Sequence, residues 1–197
     1  MSAERKIAFS RNIDVVIPDE KLIPGTRLYM AGPDGFAQST QEFHAKLCDL
    51  VVAMGGEPLD PWELTPDLST RVIAVSNMPL SPEKEEAWKE LNEVLGKNNE
   101  TAIKKSTGVV ANLDGVDVDS GTASEIGFAY GNADALHIRR PIIGYRGDFR
   151  LSSDNIGSTI NLQVEHFIHA SQGGPILRDI RDLPKRLIQV FGEDTPR

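Results

Sequence analysis

Acidic side chains are concentrated in one short stretch of the chain, residues 114–125. Asp114, Asp117, Asp119 and Glu125 all lie there. Neighbouring carboxylates repel one another, so such a cluster costs folding free energy and usually serves a metal, another cation or a reaction. The chain's 4 histidines have no ligand spacing relative to these acids, and the stretch lacks the calcium-loop pattern. The cluster therefore favours carboxylate chemistry, and we expect no metal and no cofactor.

Glu125 has two interpretations that are partly compatible. Residues 122–125 (TASE) match a capping box, with Thr122 as the N-cap and Glu125 bonding back to its amide. A carboxylate in the first turn of a helix is also kept ionised by the helix dipole, and a nucleophile must be ionised. The local pattern alone favours the cap. Asp119 is either a turn residue that bonds its own backbone or a second acid facing the same cleft.

Strands and helices alternate along the chain, which is typical of an α/β fold whose parallel sheet is covered by helices on both faces. Apolar runs predict strands at residues 27–31, 108–113, 141–145 and 160–168. Apolar residues at helical spacing predict helices at residues 39–54, 83–105, 122–135 and 177–191, with interruptions at Gly96 and Pro184.

Ligands bind parallel sheets beyond the carboxyl ends of the strands. Three polar segments follow predicted strands at this edge, namely residues 29–36, 114–125 and 146–155. We therefore expect these segments to meet and to form the functional site.

Two segments fall outside the alternation. Residues 1–26 are predicted to be an N-terminal extension, in which residues 13–17 are either a short strand or poorly ordered. Residues 63–82 are rich in proline and have little periodicity, so we expect an inserted lid or surface loop. The rest of the chain, residues 27–197, is predicted to be a single domain that carries this insertion.

The overall composition restricts the partners. A net charge of −8 argues against binding to a nucleic acid polymer, which needs a basic face. No apolar run reaches the roughly 18 residues of a membrane span, and the N-terminus lacks the apolar core of a signal peptide. We expect a cytoplasmic protein with no membrane partner. The single cysteine, Cys48, is interpreted as a core residue.

Several motifs, taken in order, resemble the nucleoside 2-deoxyribosyltransferase family. They are YMAGP at 29–33, VVANLDG at 109–115, DSGTASEIGFAY at 119–130, RPIIG at 140–144 and INL at 160–162. The resemblance spans residues 27–168. It implies a flavodoxin-like (Rossmann-like) fold and transfer of a 2-deoxyribosyl group between purine or pyrimidine bases. It also implies a covalent glycosyl–enzyme intermediate, with nucleosides and free nucleobases as the ligands.

The resemblance assigns roles to individual residues of the cleft. Glu125 matches the catalytic nucleophile, Tyr29 the tyrosine that positions it, and Asp119 the acid that binds sugar hydroxyls. The loops that follow the predicted strands at 27–31 and 108–113 add further substrate-binding positions at Gly32, Phe36 and Asp114.

The resemblance also covers three positions outside these motif blocks or at their edges. Asn98 falls where members have an aspartate or asparagine that contacts the base, but an amide cannot donate a proton as a carboxylic acid can. Asn161, and more loosely Gln163, match residues lent to a neighbouring subunit, which implies a homo-oligomer with a shared active site.

Two other functions stay open at this point. The same glutamate could pass the sugar to water, making the protein a nucleoside or nucleotide hydrolase, with Arg146 and Arg150 holding a 5′-phosphate. Alternatively, the fold could serve a non-catalytic nucleoside-binding module, since fold does not determine function.

Overall fold

The computed structural model describes residues 5–36, 38–150 and 153–192. A short 3₁₀ helix at Ile180–Asp182 precedes the last α-helix. The strands are β1 (Lys6–Ser10), β2 (Ile13–Val16), β3 (Arg27–Ala31), β4 (Glu57–Leu59), β5 (Gly108–Asn112) and β6 (Ile142–Tyr145). The helices are α1 (Gln38–Ala53), α2 (Leu68–Ser76), α3 (Pro82–Lys105), α4 (Ser120–Leu136), α5 (Leu162–Ala170) and α6 (Leu183–Phe191).

The core is a 4-stranded parallel sheet in the order β4-β3-β5-β6. Counting core strands from β3, this is the order 2-1-3-4 of flavodoxin-like folds. Leu177 adds a single parallel bridge to Tyr145 at the β6 edge. The predicted flavodoxin-like α/β fold is therefore confirmed.

Side chains of the central strand β3 alternate between two apolar layers. Leu28 and Met30 belong to the layer that also contains residues of α1 and α6. Tyr29 and Ala31 belong to the opposite layer, which contains residues of α3, α4 and α5. The sheet is thus covered on both faces, and Tyr29 points towards α3 and α4.

The predicted strand at 160–168 is wrong, because this segment forms helix α5. Ile160, Val164 and Ile168 are buried at a spacing of four residues, while Leu162 is 52% exposed. That burial follows one face of a helix rather than one face of a strand. The final helix is also shorter than predicted, since α6 begins at Leu183 with a proline in its first turn. Gly96 does not interrupt α3.

Both segments that fall outside the predicted alternation of strands and helices carry regular structure. In the N-terminal segment β1 and β2 form an antiparallel pair, and Phe9 and Val15 are buried in the layer of α1 and α6. Residues 1–4 lie outside the described residues. The segment at 63–82, predicted to be an irregular loop, contains α2. This helix has β-branched residues of low helix propensity, such as Val72, Ile73 and Val75, so its sequence shows no clear helical pattern.

No helix in the described part of the chain is both long enough and apolar enough to cross a bilayer.

Candidate active site

A buried tyrosine and a glutamate meet between the sheet and helix α4. Tyr29 is fully buried in β3, and its hydroxyl donates a hydrogen bond of 2.6 Å to Glu125 Oε1. Asn99, on α3, donates a second bond of 3.2 Å from Nδ2 to the same oxygen. One carboxylate is therefore held by donors from a strand and from a neighbouring helix.

The first turn of α4 is capped by Asp119 rather than Thr122, so the predicted capping box is wrong. Asp119 Oδ2 accepts a hydrogen bond of 3.0 Å from the Thr122 amide. Aspartate is a stronger N-cap than threonine, and the helix consequently begins at Ser120. Glu125 then lies in the second turn, where its carboxylate turns towards Tyr29 instead of the helix end.

The environment of Glu125 brings the pKa of its carboxyl group close to neutral pH. Burial is the largest cause, and it raises the pKa of Glu125 to about 7. The hydrogen bond from Tyr29 opposes this rise. The negative charge of Asp119 adds to the rise, and the hydrogen bond from Asn99 opposes it. For Tyr29, burial and then the charge and hydrogen bond of Glu125 hold the pKa far above its usual range. Tyr29 therefore remains a donor while Glu125 can ionise near neutral pH.

The carboxylate lines a cleft of about 310 Å³, which is at the lower end of volumes of small-molecule sites, about 300–1,000 Å³. Its lining combines apolar and polar residues: Gly32, Phe36, Pro61, Trp62, Leu68, Leu95, Asn99, Asp119, Ser120, Gly121, Thr122 and Glu125. No lysine or arginine occurs among these residues, so the described part of the cleft suits an uncharged, partly aromatic ligand.

Two aromatic rings form the mouth of the cleft. Phe36 is 78% exposed, and its ring meets that of Trp62 edge to face, with centroids 4.9 Å apart. Phe36 is exposed and Trp62 is half-buried, and both line the cleft, so the pair offers stacking surface to a flat heterocycle.

An asparagine side chain of β5 holds the loop that follows β3. Asn112 Nδ2 donates hydrogen bonds of 2.9 and 2.8 Å to the two carboxylate oxygens of Asp34. A Cβ at Gly32 would lie 3.1 Å from both Asn112 Cβ and Asp34 Oδ2. A side chain at Gly32 would therefore crowd this anchor at the edge of the cleft.

A family model described as nucleoside 2-deoxyribosyltransferase matches residues 28–167, well over half of the chain. The chain belongs to the nucleoside 2-deoxyribosyltransferase family. No curated protein matches it significantly.

Solved structures resemble the chain at low identity. A conserved protein from Enterococcus faecalis V583 is 22% identical with a TM-score of 0.55, and the match covers 83% of this chain and 98% of that one. A 2-desoxiribosyltransferase from Leishmania mexicana is 19% identical with a TM-score of 0.48, and the match covers 79% and 91% of the two chains. At such identities the first likeness shows the fold alone.

The structure brings together five of the residues that the sequence predicts for a deoxyribosyltransferase site. They are Tyr29, Gly32, Phe36, Asp119 and Glu125, of which all but Tyr29 line the cleft, while Tyr29 contacts Glu125 from behind.

Four predicted residues lie elsewhere. Asn98 turns away and donates a hydrogen bond of 2.9 Å to Thr65 Oγ1. Asp114 Oδ1 accepts a 2.7 Å hydrogen bond from the Asp148 amide. Asn161 is the N-cap of α5, accepting bonds from the amides of residues 163 and 164, and Gln163 is exposed beside it.

Asn99 is the principal site residue that the sequence reasoning missed. It lies four residues after Leu95 and four before Ile103, so the three share one face of α3. Leu95 lines the cleft and Ile103 is buried. The helical period of these apolar residues was the signal that could have placed Asn99, rather than Asn98, at the site.

The arginines suggested for a 5′-phosphate do not line this cleft. Arg146 is fully buried, and its guanidinium donates to the carbonyls of Leu113 (2.6 Å) and Gly115 (2.9 Å). Arg150 pairs with Asp148. Both side chains therefore hold loop structure.

The raised pKa of Glu125 predicts a specific pH dependence of stability. A folded-state pKa of about 7, above the ordinary 4.5, means that folding favours the protonated form; stability from this group is full below about pH 4.5 and is lost as the pH rises through 7. Glu125→Gln avoids this loss. Its stability relative to the parent should therefore rise between pH 5 and pH 8, by on the order of 2 kcal/mol, measured by urea unfolding.

Glu100→Gln on α3 is the matched control for this measurement. The Glu100 carboxylate is exposed, and the hydrogen bond that it accepts from Lys104 lowers its pKa, so Glu100 stays ionised from pH 5 to pH 8. The difference in unfolding free energy between Glu100→Gln and the parent should therefore stay constant from pH 5 to pH 8. A flat difference for Glu125→Gln as well would show that the Glu125 carboxylate is not perturbed as described.

Proposed function

We propose that this chain transfers a 2-deoxyribosyl group between purine or pyrimidine bases, with Glu125 as the nucleophile. The observation that carries the proposal is the Glu125 carboxylate itself, fixed by Tyr29 and Asn99 at the wall of a cleft with an aromatic mouth. Membership of the family supports the same chemistry.

The first step is a displacement at the anomeric carbon. Both hydrogen bonds from described residues reach Glu125 Oε1, which leaves Oε2 to attack C1′. The bond between C1′ and the base nitrogen breaks, the base leaves with the electron pair, and an ester forms between the sugar and Glu125. A nitrogen lone pair of a second base then attacks C1′ and releases the carboxylate, and the proton that this base gives up is balanced, by way of the solvent, by the proton that the departed base takes up. Two displacements retain the configuration.

Asp119 and Asn99 are proposed to support this displacement. Asp119 lines the cleft, where its negative charge stabilises the positive charge that develops on the sugar, and where it can accept a hydrogen bond from a sugar hydroxyl. Asn99 Oδ1 is buried without a hydrogen-bond partner among the described residues, so a donor group of the substrate can satisfy it. Because Asn99 Oδ1 is an acceptor, it can orient a donor group of the substrate, and it passes no proton to the leaving base.

The charge of the cleft favours a nucleoside over a nucleotide as the substrate. A phosphate buried without a cation or several amide donors is strongly disfavoured. The lining offers no lysine or arginine among the described residues. Base exchange between nucleosides, as a cytoplasmic salvage reaction, is therefore the form of the activity that we propose.

The exchange assay uses a deoxynucleoside with and without a second free base, with product nucleosides separated by chromatography. The new nucleoside should appear only when the second base is present. Glu125→Ala should lower the rate by about 10³-fold or more, because the nucleophile is lost. Asn99→Ala should lower it by about 10- to 100-fold, because the carboxylate loses a positioning donor.

Asn98→Ala is the matched control, one residue away on the same helix but turned towards Thr65. Its rate should stay within about twofold of the parent, as is usual for a substitution away from a site. Base release that is equal with and without an acceptor, and gives no new nucleoside, would make the protein a hydrolase. Binding without any cleavage would make it a binding module.

We further propose that Asn161 completes the active site of a neighbouring subunit. Within one chain Asn161 lies away from Glu125, beside a separate surface pocket that includes Val116 and Ile156. Val116 is 73% exposed and Ile156 fully exposed, so this surface offers apolar area for a second copy.

Subunit mixing tests this arrangement. Glu125→Ala and Asn161→Ala should each be nearly inactive, and mixing them in equal amounts should restore activity, because random pairing gives about one intact site in four. Asn161→Asp, which keeps an N-cap acceptor for α5, separates the loss of the cap from the loss of the amide. An active monomer, or a mixture no more active than its parts, would contradict the shared site.

A further inference from the structure

Three potential metal ligands of different chemistry lie together outside the cleft. His44 and Cys48 are four residues apart on α1, so they share one face of that helix. Asp60 reaches the same point from the turn after β4. One ligand atom from each, a ring nitrogen, a thiol sulfur and a carboxylate oxygen, all lie within 4.8 Å of one another.

The contacts within this trio leave the histidine incompletely satisfied. His44 Nε2 lies 3.0 Å from Asp60 Oδ1. His44 is only 7% exposed, yet this nitrogen has no partner with hydrogen-bond geometry among the described residues. Cys48 Sγ lies 4.0 Å from Asp60 Oδ2. The contact with Asp60 is thus an ion-pair contact without hydrogen-bond alignment, and a ligand placed among the three side chains could satisfy this buried nitrogen.

We infer that His44, Cys48 and Asp60 form a binding site for a divalent transition metal of the Zn²⁺ class. Ligand atoms around tetrahedral Zn²⁺, at about 2.0–2.3 Å from the metal, lie about 3.3–3.8 Å apart, so small side-chain rotations would close the trio on an ion. A thiolate and an imidazole select borderline or soft metals over Mg²⁺ and Ca²⁺. Cys48 is only partly buried, which gives an ion a path to the site.

The proposed metal site is separate from the proposed chemistry but adjoins its cleft. Asp60 Oδ1 also accepts a 2.9 Å hydrogen bond from the backbone amide of Trp62, whose side chain lines the cleft. An ion held by Asp60 would therefore fix the turn that carries Trp62. The three ligand atoms would leave a fourth coordination position for water or another ligand.

Titration of the tag-free full chain with Co²⁺ tests the site by absorption spectroscopy. Bound Co²⁺ should give a thiolate-to-metal charge-transfer band in the near ultraviolet that saturates at one ion per chain, and added Zn²⁺ should abolish it. Cys48→Ser should lack the band. His44→Gln and Asp60→Asn should each weaken Co²⁺ binding about tenfold or more.

His169→Gln removes an exposed histidine of α5 and should bind Co²⁺ as the parent does. Circular dichroism shows whether each variant is folded. If His44→Gln does not fold, Asp60→Asn still tests the site, because its side-chain oxygen can accept the hydrogen bond from the Trp62 amide. Absence of a thiolate band in the parent, or the same band in folded Cys48→Ser, would overturn the site. Glu125→Ala should bind Co²⁺ normally, so failure of the metal site and failure of the proposed transferase function are distinguishable.

Discussion

The hydrogen bond between the Tyr29 hydroxyl and Glu125 is the interaction on which the proposed site depends. Taking a carboxylate out of water raises its pKa, and donors that bond the ionised form oppose this rise. At Glu125 burial is the larger effect, with Tyr29 the first of the opposing contributions. The carboxylate thus remains partly protonated near neutral pH but can still ionise and attack. Burial keeps it weakly solvated, and Tyr29 fixes the direction in which it points.

Two features of the fold bring these groups into contact. The two-residue alternation of β3 puts Tyr29 on the α4 side of the sheet, while Leu28 and Met30 pack on the other side. The Asp119 cap sets where α4 begins and hence the rotation at which Glu125 leaves the helix. The pairing of β3 in the sheet and the start of α4 are therefore both constraints on the site.

The sequence predicted much of this arrangement because the relevant signals are local and strong. The alternation of apolar runs and helical periods predicts a parallel α/β sheet. The family resemblance, carried by the ordered motifs around Tyr29 and Glu125, implies the flavodoxin-like form of that sheet and the side chains that meet at its carboxyl edge. The capping-box motif alone favours Thr122 as the cap of α4, but Asp119, three residues earlier, is the stronger cap and occupies that position.

The wrong predictions have two physical causes. One is an apolar run that fits both the helical and the strand period, and the other is contact between elements that are distant in sequence. Helix α5 was predicted as a strand because its short apolar run satisfies both periods, and only the burial of Ile160, Val164 and Ile168 distinguishes them. The contacts that separate Asn99 from Asn98 are made across elements, with Glu125 in one case and Thr65 in the other. The meeting of His44 and Cys48 with Asp60 likewise depends on how α1 packs beside β4, which no local pattern encodes.

Trapping of the sugar on the protein tests the central claim most directly. The chain is mixed with a deoxynucleoside in the absence of any second base, quenched rapidly in acid, and analysed by intact-mass and peptide mass spectrometry. We predict a mass increase of one deoxyribosyl group, located on the peptide that contains Glu125 and missing in Glu125→Gln. Release of base without any adduct, or an adduct on a different residue, would contradict the role of Glu125 as the nucleophile.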